Sequence, residues 1–205
     1  MSKKKPLIVF EGIEGSGKTT LINHVAKYLK KKNINFIKIR EPGGNKNSER
    51  IRKLILNKNN KFNPYTDLFL YFAARSENIE KVILKNYNKK IILLDRFTDS
   101  TIAYQHYGMG LDKKLIERIN IKLLKKIKIN ITFLNIVNMR NLSKRLKIRK
   151  TKNRYDYFKI AFYKKVQNGF TKLAKNKSRY ITINSNESLR DNKIKVLNKI
   201  IKLIN

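Results

Sequence analysis

A chain of 205 residues, 41% hydrophobic and 10% aromatic, carries enough apolar material to bury one core, and its length fits a single domain over 1–205. Without cysteine it can form no disulfide, thiolate metal site or thiol nucleophile, which fits a reducing cytoplasm. Its formal charge of +35 invites a polyanionic partner, while no apolar run approaches the roughly 18 residues of a spanning helix, so no membrane role is expected.

Short apolar runs alternate with longer stretches of helical period, the pattern of an α/β fold with a parallel sheet. Strands are predicted at 7–11, 35–40, 90–95, 130–137 and 179–183. Helices are predicted at 18–31, 48–56, 66–87, 111–127, 139–148, 157–174 and 189–204. Every strand-to-strand link is then long enough for a crossover, giving a five-stranded parallel sheet flanked by helices. Turn-rich stretches fall at 41–47 (EPGGNKN), 107–110 (YGMG) and 149–154 (RKTKNR), and the first directly follows a strand end, where open parallel sheets bind ligands. The basic, then apolar, start MSKKKPLIVFEG is too short for a signal segment and runs straight into the first motif.

That motif is GIEGSGKT. Gly12, Gly17, Lys18 and Thr19 satisfy G-x-x-x-x-G-K-[ST] between a strand and a helix. The backbone from Gly12 through Ile13, Glu14, Gly15 and Ser16 should curl around the phosphates of ATP, with the helix start adding its positive end. Lys18 should bridge the outer phosphates and Thr19 should ligate Mg²⁺. The apolar run IILLDR ends in Asp95, from which a carboxylate could reach the same metal shell; a plain helix cap is the alternative for that residue.

Other users of such a loop fit less well. No Asn-Lys pair is followed by Asp at the place guanine recognition requires, and five crossovers leave little chain for a nucleic-acid motor. The positive charge is mostly Lys, runs end to end and accompanies abundant Asn and Ile, as drift toward A- and T-rich codons would produce. A binding patch should be local, so the expectation is non-specific, salt-sensitive polyanion binding and no specific nucleic-acid partner. A small-molecule kinase fits the length. In YFAARS, Phe72 and Arg75 are three apart on a predicted helix and share a face, so a planar base could stack on one and bond the other, although a phenylalanine so placed is more often core than base platform.

The ordered set FEGIEGSGKTT, REPGG, YFAAR, DRFTDSTIAYQ and an Arg-rich segment near 145–154 resembles bacterial thymidylate kinase. The resemblance implies a phosphate-loop kinase fold, a homodimer, and transfer of the γ-phosphoryl group of ATP to dTMP. It also implies roles. Glu14 would contact the sugar 3′-hydroxyl region and the metal's water shell, Phe72 would stack on thymine, and Arg75 would bond the base O4. Arg96 would bind the acceptor phosphate, Tyr104 would pack under the deoxyribose, Thr101 and Gln105 would approach the base, and Arg40 with Glu41-Pro42 would shape the acceptor site. The phosphate loop lacks an arginine, and in such relatives a lid, here about 145–157, supplies it. Arg149 and Arg154 are the candidates, with Arg145 on the preceding helix. Departures from the usual pattern are Asn153 for Asp beside Arg154, Asn135 for Asp in the fourth strand, Asn45 for Thr, and His106, Tyr107 and Met109 in the YGMG loop; His106 reads as a surface residue. The rivals are another nucleoside or nucleotide kinase and, less well supported, a basic nucleic-acid-binding ATPase.

Overall fold

The computed structural model describes residues 4–175 and 177–204. Five strands, β1 (Leu7–Gly12), β2 (Phe36–Arg40), β3 (Ile91–Asp95), β4 (Ile131–Ile136) and β5 (Tyr180–Asn184), form one parallel sheet in the order β2-β3-β1-β4-β5. β1 and β3 are buried at every position, as expected of central strands covered on both faces, whereas FIKIR and YITIN, at the two edges, carry exposed polar positions.

Alternation along β1 divides the core. Ile8 and Phe10 face α1 (Lys18–Lys31) and α9 (Leu189–Ile204), where Leu21, Ile22, Val25, Leu29, Val196 and Ile200 close over them. Leu7 and Val9 face the opposite side, among Ile39, Ile79, Ile92, Leu94 and Phe97. Each fully buried side chain of this size contributes about 1.5–3 kcal/mol, and Phe10 stacks on Phe133 of β4 at 5.2 Å. The register pairs Phe10 and Arg40 with Asp95, and Gly12 with Asn135. Four strands therefore end at one edge and deliver Gly12, Arg40, Asp95 and Asn135 together.

The remaining helices are α2 (Lys46–Leu56), α3 (Pro64–Asn78), α4 (Leu84–Asn86), α5 (Thr98–Thr101), α6 (Lys113–Leu124), α7 (Met139–Lys147) and α8 (Ile160–Ala174). Three departures from expectation bear on the site. The stretch predicted as one helix over 66–87 is α3, a π-helical turn at Ile79–Ile83, and α4; it begins earlier than predicted because Asn63 caps Thr66 N–H and Pro64 sits at the first turn. A helix absent from the prediction, α5, follows β3 and widens into a π-helical turn at Ile102–Gly108. The helix predicted over 157–174 starts only at Ile160, preceded by a separate 3₁₀ turn at Arg154–Tyr157.

Two of the departures from the usual residues are capping residues. Asn45 accepts from Asn47 and Ser48 N–H at the start of α2. Asn153 accepts from Tyr155 N–H, while its own N–H donates to Asp156. Asn caps about as well as Asp and no worse than Thr, which explains why these positions tolerate it. His106 is half-buried, its Nδ1 2.7 Å from the Leu111 carbonyl.

Candidate active site

The loop between β1 and α1 curls because glycine allows it. Gly12 lies at φ +137°, and a Cβ there would meet the Asn135 carbonyl oxygen at 2.4 Å. Gly17, at φ +84°, turns the chain into α1, whose first residue is Lys18. The Lys18 ammonium donates to the carbonyls of Gly12 (2.9 Å) and Ile13 (2.8 Å) and approaches Ser16 Oγ at 3.4 Å. Burial strips its water and, with Arg96 nearby, brings its pKa down to about 7, against the pull of Asp95, Glu14 and Glu11. A phosphate in the loop would reverse that shift. Asn135 holds the loop from below, donating to Ser16 O at 3.2 Å and to Ser185 Oγ at 3.3 Å. An aspartate at that position could not donate.

The Thr19 hydroxyl donates to Asp95 Oδ2 at 3.2 Å, so the last residue of β3 and the second of α1 present two oxygens side by side. These hard oxygen donors suit Mg²⁺, and among the described residues no cluster of three or more His, Cys, Asp or Glu offers a metal cage. Magnesium sites of this type commonly rely on one or two protein groups, with phosphate and water oxygens completing the shell.

Arg96 follows immediately at φ +70°, a left-handed conformation that costs about 1–3 kcal/mol in a non-glycine residue. The next turn is anchored by Glu11, whose buried carboxyl accepts from the N–H groups of Phe97 (2.8 Å) and Ser100 (3.2 Å) and from the Ser100 hydroxyl. Burial and the nearby Asp99 bring the Glu11 pKa up to about 7. So positioned, Arg96 donates to Gly12 O (2.8 Å), Glu14 Oε1 (2.9 Å) and the Tyr104 hydroxyl (3.2 Å), with its guanidinium 5.0 Å from the Tyr104 ring centre. Burial works against its charge, but Tyr104, Glu14 and Asp95 hold its pKa well above the ordinary value.

These groups share one cleft of about 530 Å³. Its lining runs from the phosphate loop through Asp95 and Arg96 to Arg40, Glu41, Arg52 and Tyr71, and is roofed by Arg145 and Arg149. A small side cavity of about 20 Å³ shares Glu14, Tyr71 and Arg96 with the cleft and is lined further by Thr101, Tyr104 and Gln105. The Thr101 hydroxyl is buried there without a partner among the described residues. The Glu41-Pro42 bond in the floor of the cleft is cis.

Several residues expected in the cleft are elsewhere. Phe72 is not in the lining; its ring is buried among Leu68, Ile102, Leu111, Ile116 and Leu173. The aromatic on the cleft side of α3 is its neighbour Tyr71. A helix rotates each successive residue by about 100°, and the ring with a polar tip faces the wet side while the wholly apolar one is buried. Arg75 is likewise buried, its guanidinium donating to Glu41 (2.8 Å), Asn120 (2.9 Å) and the Phe97 carbonyl (3.0 Å). It pins α3 to the cis-proline loop through Glu41, itself a lining residue, while Arg75 is not part of the cleft lining. Arg154 is held away from the roof by Asp67 and the Tyr155 hydroxyl, leaving Arg149, paired with Asp156, as the cleft-facing member of the two lid candidates. Arg145 joins it, clasping the carbonyls of Gly15 (2.8 Å) and Ser185 (2.7 Å). Arg52, missed in the sequence, donates to the Pro42 carbonyl, and burial together with Arg40 brings its pKa down to about 10. No local motif marks it; its place depends on how α2 packs beside the sheet edge.

A glycine loop between strand and helix, a buried lysine aimed into it, and a threonine–aspartate pair at the carboxyl edge of a parallel sheet define a phosphate-loop NTPase fold. The family model for thymidylate kinase matches residues 10–196. A thymidylate kinase of Sulfurihydrogenibium sp. (strain YO3AOP1) is 41% identical over 179 residues, covering 86% of this chain and 87% of that protein. One from the Wolbachia of Brugia malayi is 37% identical over 200 residues, covering 94% of each. The crystal structure of thymidylate kinase from Ehrlichia chaffeensis superposes with a TM-score of 0.78 at 33% identity, over 97% of this chain and 99% of that one. The chain belongs to the thymidylate kinase family.

Proposed function

We propose that the enzyme transfers the γ-phosphoryl group of ATP to dTMP, giving ADP and dTDP. The observation that carries this reading is that one cleft is lined both by Lys18 and Thr19 of the phosphate loop and by Tyr71 and Arg96, which in turn border the small cavity beside Tyr104. The phosphate loop takes the triphosphate, and Arg96 takes the acceptor phosphate that displaces part of its pairing with Glu14. The base would rest against Tyr71, within reach of the unpaired Thr101 hydroxyl and Gln105, and Tyr104 would lie under the sugar.

A phosphate dianion is already nucleophilic, so the step requires in-line alignment and relief of repulsion between two anions more than a general base. Lys18 would neutralise the outer phosphates, Arg149 and Arg145 would meet the transferring group from the roof, and Arg40 and Arg52 would add positive potential over the acceptor. Thr19 and Asp95 would hold Mg²⁺, which when bound supplies further neutralisation of phosphate charge. We read the whole chain as one kinase domain with its lid near 145–157, working in the cytoplasm. Among the described residues no helix is long and apolar enough to cross a membrane. We expect a homodimer, with the exposed Tyr65 and Phe69 of α3, whose rings lie 6.4 Å apart, at its interface.

The test is an acceptor panel at physiological salt: ADP release from ATP and Mg²⁺ with dTMP, dUMP, CMP or DNA added singly. Strong stimulation by dTMP is expected. Stimulation by DNA alone would support the rival ATPase instead.

A further inference from the structure

Asp67 lies on α3 one turn before Tyr71, so the two share a helix face. Its carboxylate is 1% exposed, and its partners come from elsewhere in the chain. From the lid, Arg154 pairs with Oδ1 and the Tyr155 hydroxyl donates to Oδ2 at 2.7 Å. From the π-helical turn, Gln105 Nε2 approaches Oδ2 at 3.4 Å. The Tyr155 ring, itself buried, meets Tyr71 edge-on at 6.4 Å and Tyr104 at 5.7 Å. Asp67 is thus the common anchor of the lid turn and of the residues that line the acceptor pocket.

We propose that Asp67 is a positioning residue that ties the lid to the acceptor pocket, so that Arg149 faces the phosphate loop only while Tyr71, Tyr104 and Tyr155 are packed together. The physical reason lies in the Arg154 side chain, only 11% exposed, whose one ion-pair partner among the described residues is Asp67. Without that carboxylate a buried guanidinium is uncompensated and swings to water. The capped turn at Arg154–Tyr157 goes with it, and Asp156, on that turn, is the ion-pair partner of Arg149. A roof held this way keeps water from the phosphoryl group while the acceptor is in place, which favours transfer over hydrolysis.

The inference rests on the proposed dTMP kinase reading, and the assay separates the two. ATP, dTMP and Mg²⁺ are incubated with the full-length enzyme, and dTDP and free phosphate are quantified together for wild type, Asp67→Asn, Arg154→Leu and Tyr155→Phe, with melting temperatures measured in parallel. Asp67→Asn should lower kcat for dTDP about ten- to hundredfold, the cost of a misplaced catalytic group. It should leave KM for ATP unchanged and raise the ratio of free phosphate to dTDP. Arg154→Leu should act alike, and the double variant should be no worse than either single one; Tyr155→Phe should move the same ratio less. If a folded Asp67→Asn enzyme kept the wild-type kcat and ratio, the positioning role would be overturned. If Asp67→Asn failed to fold, wild-type ratios in folded Arg154→Leu and Tyr155→Phe would overturn it equally. A wild type that makes no dTDP at all would instead refute the kinase reading.

Discussion

Exchanging Tyr71 and Phe72, adjacent on α3, should have opposite consequences. Tyr71 lines the cleft, so Tyr71→Leu keeps apolar bulk there but removes the flat face offered to a base; stacking of that kind is worth roughly 1–3 kcal/mol. At 1.4 kcal/mol per tenfold, the Kd for dTMP should rise about five- to hundredfold. Affinity for ATP should hold, and Tyr71→Phe should bind dTMP nearly as wild type does. Phe72 is 6% exposed within an apolar cluster, so Phe72→Ala opens a cavity and costs about 3–5 kcal/mol of stability. Calorimetric titration of dTMP, with urea unfolding of the same samples, measures both effects. Selective loss of dTMP affinity in a normally stable Phe72→Ala enzyme, with Tyr71→Leu unaffected, would refute the placement of the base.

Three further outcomes are expected. Because the Lys18 pKa is about 7 with the loop free of phosphate, binding of ATP should raise it, so the complex should take up a proton near pH 8 and much less near pH 6. Titrations in buffers of different ionisation enthalpy read this directly, and uptake of the same size in Lys18→Met would assign it elsewhere. Arg149→Ala should lower kcat by about 10³-fold or more, with ATP affinity little changed, in steady-state assays; a kcat within a few-fold of wild type would remove Arg149 from the transfer step. Glu11, with its folded pKa raised from 4.5 to about 7, holds a proton in the folded chain that the unfolded chain releases. Its contribution to stability is therefore complete below pH 4.5 and lost as pH rises through 7. The melting temperature of Glu11→Gln relative to wild type should rise from pH 4.5 to pH 8, and a flat difference would contradict that burial.

Much of the fold was legible because its central strands are unbroken apolar runs. IVFEG and IILLD can be covered on both faces only in a parallel sheet, and the glycines of GIEGSGKT mark the turn between the first strand and α1. The local end of the site was legible for the same reason, since Gly12, Lys18 and Thr19 lie within one turn and helix start. The acceptor end was legible only in part: Arg40, Arg96, Thr101, Tyr104 and Gln105 do line the cleft or its side cavity, but the choice of aromatic on α3 was not. Phe72 and Tyr71 both lie on faces compatible with Arg75, and only the packing of α3 against α6 and the π-helical turn decides which ring is buried. The turn itself left no periodic signal, because TIAYQHYG alternates small, polar and aromatic residues at a spacing that is not helical in the ordinary sense. Arg149 and Arg154 look equivalent in RKTKNR; they differ because Asp67, 87 residues before Arg154, captures one of them. Long-range ion pairs of this kind are invisible to any local pattern.

The central claim is that two nucleotides meet end to end in one cleft and exchange a phosphoryl group. ³¹P NMR of ATP, dTMP and Mg²⁺ with the enzyme at physiological salt tests it most directly. The account predicts that the β-phosphate resonance of dTDP grows in step with ADP while inorganic phosphate stays near baseline. Growth of inorganic phosphate at a rate indifferent to dTMP, with no dTDP, would contradict it.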